Sequence, residues 1–496
     1  MDIIIKKLNE SFMFVDAEAS IIQELSERLT FDVPNAKYSP AFKKKHWDGK
    51  IRLFNKRNGT LYLGLSHYVE DYARENEYSL HKDFSDDTFS MDDFKSHNEN
   101  TKYHNENKEL LVLRDFQVEA IKLGITNNRA IFLSPTGSGK SLICFSLLKF
   151  YYENTDKKIL IICPTTALVE QLYTDFIEYS NNTLDIENNT CRIYSGTERF
   201  KDRRIIISTW QSVYEKDSDY FDEFETVIAD ECHLYKSKQT SKLFEKCLNV
   251  KFRFGFTGTL SGENIHQLQL EGLFGKAIQL TTTSKMMAAK QLNEFKIKAV
   301  VLKYSNKTIK ANKKNIWEEE VQFLIGNKKR NAFIAGLAKE LKGNSLILFS
   351  RVETHGMLIY EEIKKLVGEE RVKFIYGGTD VEIREQIRKC ISVDTNIILV
   401  ASSQIFSTGT NIPALTNIVF THPSKARIRI LQSIGRALRK NKNKTCSFLW
   451  DIADDLRSKT TENYSYRHFK ERLELYSKEE FEYTIKNYIL EKEENE

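Results

Sequence analysis

Two successive series of short apolar runs, each run separated from the next by helix-forming sequence, constrain this chain more than any other feature. The first series is AIFLS (130–134), ILIIC (159–163), RIIIS (204–208), TVIAD (226–230) and FRFGFT (252–257). The second is SLILFS (345–350), VKFIY (372–376), NIILVAS (396–402), NIVFT (417–421) and CSFLW (446–450). Unbroken apolar runs of this length are strands buried on both faces, and helical crossovers between them make a sheet parallel. The expected fold class is α/β, with two tandem parallel-sheet domains at 110–285 and 326–455 and a connection at 286–325 between them. Residues 1–95 mix alternating segments with one helical stretch and read as a separate small α+β domain. SHNENTKYHNENKE (96–109) reads as a polar linker. Near the end, Phe469, Leu473 and Tyr476, then Phe481, Ile485 and Tyr488, have helical spacing. Residues 456–496 are therefore expected to form a short helical element. A chain of 496 residues has room for each of these bodies to bury a core.

Composition excludes several classes. Hydrophobic residues are 41% and charged residues 29%, which is a globular balance and not a disordered one. The net charge of +5 is a small excess of 74 basic over 69 acidic residues and identifies no partner by itself. Seven cysteines, with no two nearer than 15 positions, suit neither a disulfide framework nor a zinc knuckle and point to a reducing cytoplasm. No run approaches the ~18 apolar residues of a membrane span, and the start MDIIIKKLNESFMF lacks the pattern of an export signal.

SPTGSGKS (134–141) follows an apolar strand and opens the helix-forming stretch SLICFSLLKFYY, the context that a phosphate-binding loop requires. In that reading Thr136, Gly137, Ser138 and Gly139 wrap backbone N–H groups around phosphate oxygens. Lys140 reaches the β/γ-phosphates, and Ser141 offers its hydroxyl to Mg²⁺. Ser134 stands where the motif has glycine. Asp230 and Glu231, in DECH at the end of a later strand, stand about 90 residues further on. They suit a magnesium carboxylate and a carboxylate that orients or deprotonates the attacking water. In QSIGRALRK (432–440), Arg436 and Arg439 share a helix face and can stabilise charge on a transferring phosphate. ATP and Mg²⁺ are the expected ligands.

Taken in order, these strings resemble the motifs of superfamily 2 helicases across residues 111–451. LRDFQVEAI (113–121) resembles the adenine-recognition motif, with Gln117 as its contact. PTTALVEQ (164–171), STWQS (208–212) and TGT (257–259) resemble motifs that touch the nucleic-acid backbone or couple it to the ATP site. The resemblance implies backbone contacts by Thr165 and Thr209 and coupling roles for His233, Thr257, Thr259 and Gln432. In the second domain FSR (349–351) and SSQIFSTGTNIP (402–413) resemble the fourth and fifth motifs. They imply nucleic-acid contacts by Ser350, Ser403 and Gly409 and a nucleotide contact by Asn411, where many relatives carry Asp. KYSPAFKKKHWDGKIRLFNKR (37–57) extends the resemblance to the recombination helicases of T-even-like phages over nearly the whole chain. That family implies two RecA-like domains with ATP between them, Lys140, Ser141, Asp230 and Glu231 on one side and Arg436 and Arg439 on the other. It also implies branch migration, fork regression and R-loop unwinding in the host cytoplasm.

Between Lys37 and Arg57 stand eight bases against the single acid Asp48, with Tyr38, Phe42, His46 and Trp47 interleaved. Cations there release counterions from phosphates, and an aromatic among them can stack on an unpaired base. Lys43, Lys44, Lys45 and Trp47 are the candidate contacts to DNA at a branch or a single-/double-strand junction, or to an RNA–DNA hybrid. The competing reading is a solvated basic face whose aromatics belong to a small core. KTIKANKKN (307–315) reads as a solvated loop. Function stays open between a strand-separating helicase on DNA or RNA, a duplex translocase that separates nothing, and an annealing module gated by ATP. The sequence names no protein partner.

Overall fold

The computed structural model describes the chain except residues 1, 34–35, 86–87, 195–196, 199–201, 236, 259, 261–263, 314–315, 381, 384–385, 388–389, 392–393, 404–414, 423–445 and 493–496. Two compact units divide it: Met1–Ser134 with Gly139–Thr281, and Pro135–Ser138 with Thr282–Glu496.

The first unit opens with β1 (Ile3–Lys7), β2 (Phe12–Ala17), β3 (Thr30–Asp32), β4 (Lys50–Arg52), β5 (Thr60–Tyr62) and β6 (Leu80–Lys82). β5-β2-β1-β6 form one sheet, and β3 and β4 pair as a ribbon. β1 and β2 alternate buried and solvent-facing residues, as a sheet with one wet face must, and Ile3, Ile5, Met13 and Val15 are buried. This sheet has its own core, but it is not separate. Leu268 of the following α/β body belongs to that core, Arg129 reaches Glu10 at 2.8 Å, and Tyr62 donates to Glu245 at 2.6 Å. The fully buried Arg253 guanidinium donates to Val250 O, Phe244 O and Cys247 O and to Ser11 Oγ in the β1–β2 turn. A charge so deep is tolerated only when each donor finds an acceptor, so this arginine fastens the two bodies together.

β7 (Tyr103–His104) and β8 (Leu110–Leu111) form a ribbon, followed by β9 (Arg129–Leu133), β10 (Lys158–Cys163), β11 (Thr190–Tyr194), β12 (Thr197–Glu198), β13 (Ile205–Thr209), β14 (Phe224–Ala229), β15 (Phe252–Thr257) and β16 (Ala277–Gln279). The sheet order is β12-β11-β13-β10-β14-β15-β9-β16, parallel except for β12. The five strands expected from apolar runs are its middle, and β11, β12 and β16 extend it. Helix Lys140–Asn154 crosses this sheet, with every residue from Leu142 to Tyr151 buried. A helix apolar on all sides must be covered outside as well as inside, which corrects the expected linker. Helix Met91–Asn100 and the β7–β8 ribbon bring Phe94, His97 and Tyr103 into that core. His97 Nε2 and Tyr103 OH both meet Ser146 Oγ, at 3.0 and 2.6 Å. Three buried residues in a polar stretch are too sparse to show a period.

The second unit carries β17 (Glu294–Lys303), β18 (Asn344–Phe349), β19 (Val372–Ile375), β20 (Ile398–Ser402), β21 (Leu415–Phe420), β22 (Cys446–Asp455) and β23 (Tyr483–Ile489) in the order β19-β20-β18-β21-β22-β17-β23. All pairings are parallel. Two expectations are corrected. The stretch 286–325 is not a mere connection, because β17 lies between β22 and β23, and 307–312 falls in helix Asn306–Asn312. The C-terminal element is not wholly helical. Helix Tyr464–Lys478 holds Phe469 and Tyr476 in the core, but Glu480 takes φ +57 and ends the helical path. Tyr483–Ile489, rich in β-branched and aromatic residues, then joins the sheet edge. The helix is held by Arg472, which donates to Asp451 at 2.9 and 2.8 Å, and by Tyr476, whose hydroxyl donates to the same carboxylate at 3.0 Å.

Candidate active site

Parallel strands end on one edge, and the first sheet places its chemistry there. Along β13-β10-β14-β15-β9 the edge carries Thr209, then Thr165, then Asp230 and Glu231, then Thr257, then the loop into helix Lys140–Asn154. Four strand spacings of ~4.8 Å separate the ends of this row by roughly 19 Å.

The loop turns as its glycines permit: Gly137 has φ +85 and Gly139 φ +83. A Cβ on Gly139 would lie 2.5 Å from Gln117 Nε2. The buried Gln117 amide, whose Oε1 accepts from Arg114 N at 2.9 Å, is thus fitted against the loop's end. Lys140 Nζ donates to Ser134 O at 3.1 Å, and Ser134 N donates to Thr257 O at 3.0 Å. Ser141 Oγ meets Tyr179 OH at 2.9 Å, a neighbour that no sequence pattern marked because it comes from helix Thr166–Ser180, which packs beside helix Lys140–Asn154 on the same face of the sheet.

Asp230 N donates to Ile162 O at 2.9 Å, which continues the β10–β14 ladder by one residue. Burial raises the Asp230 carboxyl above the usual carboxylate range and the adjacent Glu231 charge adds to this, while Lys140 pulls it down. A strongly cationic ligand would relieve that penalty, and the Asp230 carboxylate and the Ser141 hydroxyl are both hard-oxygen donors suited to one. Glu231 has φ +47, a left-handed backbone rare outside glycine. His233 Nδ1 lies 2.8 Å from Thr257 Oγ1 and 3.3 Å from Glu231 Oε2, so one ring bridges the carboxylate and the end of β15.

Thr165 Oγ1 accepts from Leu168 N at 3.4 Å and caps helix Thr166–Ser180. Thr209 Oγ1 meets Ser212 Oγ at 2.9 Å. In the second unit Ser350 follows β18 and Ser403 follows β20, neighbouring strands of one edge. Thr259, Gly409, Asn411, Gln432, Arg436 and Arg439 lie outside the described residues.

The basic segment forms an excursion between β3 and β4. Lys43, Lys44 and Lys45 are exposed, Tyr38 is 65% exposed, and Phe42 is 37% exposed with its ring against Gly49. Trp47 is half-buried, with its indole N–H donating to Lys50 O at 2.8 Å.

Residues 110–262 match the family model described as Type III restriction enzyme, res subunit, and residues 328–441 match the helicase conserved C-terminal domain. The two parallel-sheet units are therefore tandem RecA-like domains of the helicase class. Residues 2–83 match the model described as DNA helicase UvsW, N-terminal. The chain is 32% identical over 513 residues to the ATP-dependent DNA helicase uvsW of Enterobacteria phage T4, covering 98% of this chain and 99% of that one. It superposes on the crystal structure of T4 UvsW with a TM-score of 0.52 at 30% identity, covering 99% and 100% of the two chains. Over 372 residues it is also 24% identical to the DNA 3'-5' translocase XPB2 of Sulfurisphaera tokodaii, covering 67% and 80%. The chain belongs to the UvsW family of DNA helicases.

Proposed function

We propose that this chain is an ATP-dependent DNA helicase that acts on branched DNA, by branch migration, fork regression and R-loop unwinding, in the host cytoplasm. The observation that carries the reading is the single edge on which Asp230 and Glu231 stand between the phosphate-type loop and the threonines of β10 and β13. ATP phosphates would lie at the N-terminus of helix Lys140–Asn154, where free N–H groups and the helix dipole favour anions. Lys140 would exchange its bond to Ser134 O for a phosphate oxygen. Ser141 and Asp230 would hold Mg²⁺, whose chemistry when bound is to neutralise charge on the phosphate oxygens. Glu231 would orient the attacking water and take its proton. Gln117, fitted against Gly139, would read the adenine beside the loop and sense its state.

His233 is the coupling residue in this proposal. Rearrangement of Glu231 during hydrolysis changes the bridge to Thr257, and β15 lies beside β14, whose other neighbour β10 leads into Thr165. Movement at the ATP is thus passed across one rigid sheet to a strand-backbone contact. The exposed lysines 43–45 would neutralise phosphates of duplex DNA at the branch.

The test is strand separation by the purified chain on a labelled fork, a four-way junction and an R-loop, with ATP and with a non-hydrolysable analogue. ATP-dependent resolution of these substrates supports the proposal. Hydrolysis with no separation would replace it by translocation without strand separation, the second reading, which the similarity to a DNA 3'-5' translocase favours.

A further inference from the structure

The excursion between β3 and β4 holds two large aromatic side chains that reach the solvent, Tyr38 for most of its surface and Phe42 along one face of a ring packed on Gly49. Tyr38 closes the 3₁₀ turn Ala36–Tyr38, and Phe42 stands in the next helical turn, Pro40–Lys43. Tyr38 is 65% exposed and Phe42 37%, whereas the core residues of the adjoining sheet are buried. Trp47 is a different case, since its bond to Lys50 O and its partial burial make it part of the excursion's frame. Gly49, at φ +78, lets Phe42 close over the backbone, and a Cβ there would meet the ring at 3.0 Å. The turn thereby fixes one face of the Phe42 ring and leaves the rest of it open to solvent.

The charge around these rings is cationic and its one acid is engaged. Asp48 is bonded to Arg52 and to Lys50 N, and these contacts lower its carboxyl to about 2. Lys37 Nζ lies 5.3 Å from the Tyr38 ring centroid, and Lys43, Lys44 and Lys45 are exposed beside Phe42. Exposed aromatics set among phosphate-binding cations form a surface that takes up unpaired bases, because every base offers a π-face while the adjoining lysines hold the backbone.

We propose that Tyr38 and Phe42 are the strand-separating element, stacking on the first unpaired bases at a single-/double-strand junction. This rests on the reading that the basic segment grips DNA at the branch. A base leaving the duplex loses its stacked neighbour, and a ring waiting at the junction replaces that contact, so each opened pair is held open until the motor advances.

The test uses the full chain carrying Tyr38→Ala with Phe42→Ala, a second variant with Tyr38→Trp and Phe42→Trp, and a fork bearing 2-aminopurine at the first unpaired position. Loss of the stack should lower the ratio of fork unwinding to single-strand-driven ATP turnover about tenfold. It should also abolish the 2-aminopurine fluorescence change on binding, and the tryptophan pair should restore both. A wild-type ratio in the alanine pair, an unchanged 2-aminopurine response, or no rescue by tryptophan would each overturn the assignment, as would a shared fall in unwinding and turnover. Failure of the underlying reading is distinguishable, since Lys43→Ala, Lys44→Ala and Lys45→Ala together would then leave the salt dependence of fork binding unaltered. Protein docking by this patch, in place of DNA, would show as an intact 2-aminopurine response and count against the proposal.

Discussion

Glu231 is asked to do two things that oppose one another, and substituting it separates them. Its backbone sits at φ +47, ψ +47, a left-handed conformation that costs a residue with a Cβ roughly 1–2 kcal/mol. Glu231→Ala removes the carboxylate but keeps that cost. Glu231→Gly removes both, at the expense of roughly 0.4–1 kcal/mol from the freer unfolded chain. The glycine variant should therefore be more stable than the alanine variant by about 0.5–1 kcal/mol, about 1–3 °C in Tm for a body of this size. Glu231→Gln, with the same shape and no base, should bind ATP and lose turnover about 10²–10⁴-fold. The assays are scanning fluorimetry without nucleotide, ATP binding by equilibrium titration, and steady-state hydrolysis on single-stranded DNA. An alanine variant as stable as the glycine one would refute the strain argument, and near-normal turnover in the glutamine variant would refute the role.

Gly139→Ala places a methyl group 2.5 Å from Gln117 Nε2 at φ +83, so it should cost about 1–2 kcal/mol and weaken ATP binding at least about tenfold, read by titration. Replacing Lys43, Lys44 and Lys45 with Ala should flatten the slope of log affinity against log salt on forked DNA by about 2–3. His97 is held down to about 4 by burial and by Lys149, below its ordinary 6.5. Above pH 6.5 the ring is neutral folded or unfolded. Below it only the unfolded chain gains the proton, so stability falls as pH drops from 6.5 toward 4. At pH 5.5 this residue should cost on the order of 1 kcal/mol, and the fall in Tm between pH 7.5 and 5.5 should shrink in His97→Gln.

Strands buried on both faces were legible because their residues need no partner pattern beyond being apolar: Ile159–Cys163 and Ile205–Ile207 state their place outright. Strands at or next to a sheet edge were not. TCRIY at 190–194 and YTIKNYI at 483–489 alternate polar residues into runs that suit a helix or a loop as well, and only the neighbouring strand decides. Phe94, His97 and Tyr103 were hidden for another reason, since what buries them is a helix that needs a second cover. The candidate nucleotide residues stood out in the sequence because phosphate chemistry demands glycine, lysine and carboxylate at set places. The Tyr179–Ser141 contact and the Arg253 anchor join residues 38 and 242 positions apart and carry no local signature.

Arg253 stands near the start of β15, the strand that ends at Thr257, and its guanidinium reaches Ser11. With Arg129–Glu10 and Tyr62–Glu245, it leaves the N-terminal sheet no hinge on which to swing. That sheet is therefore an outrigger bolted to the engine block, and the β3–β4 ribbon from which the lysines depart packs Phe31 and Ile51 against the same core. A turn of the first α/β sheet is passed to the N-terminal sheet with no flexible linker between them to absorb it.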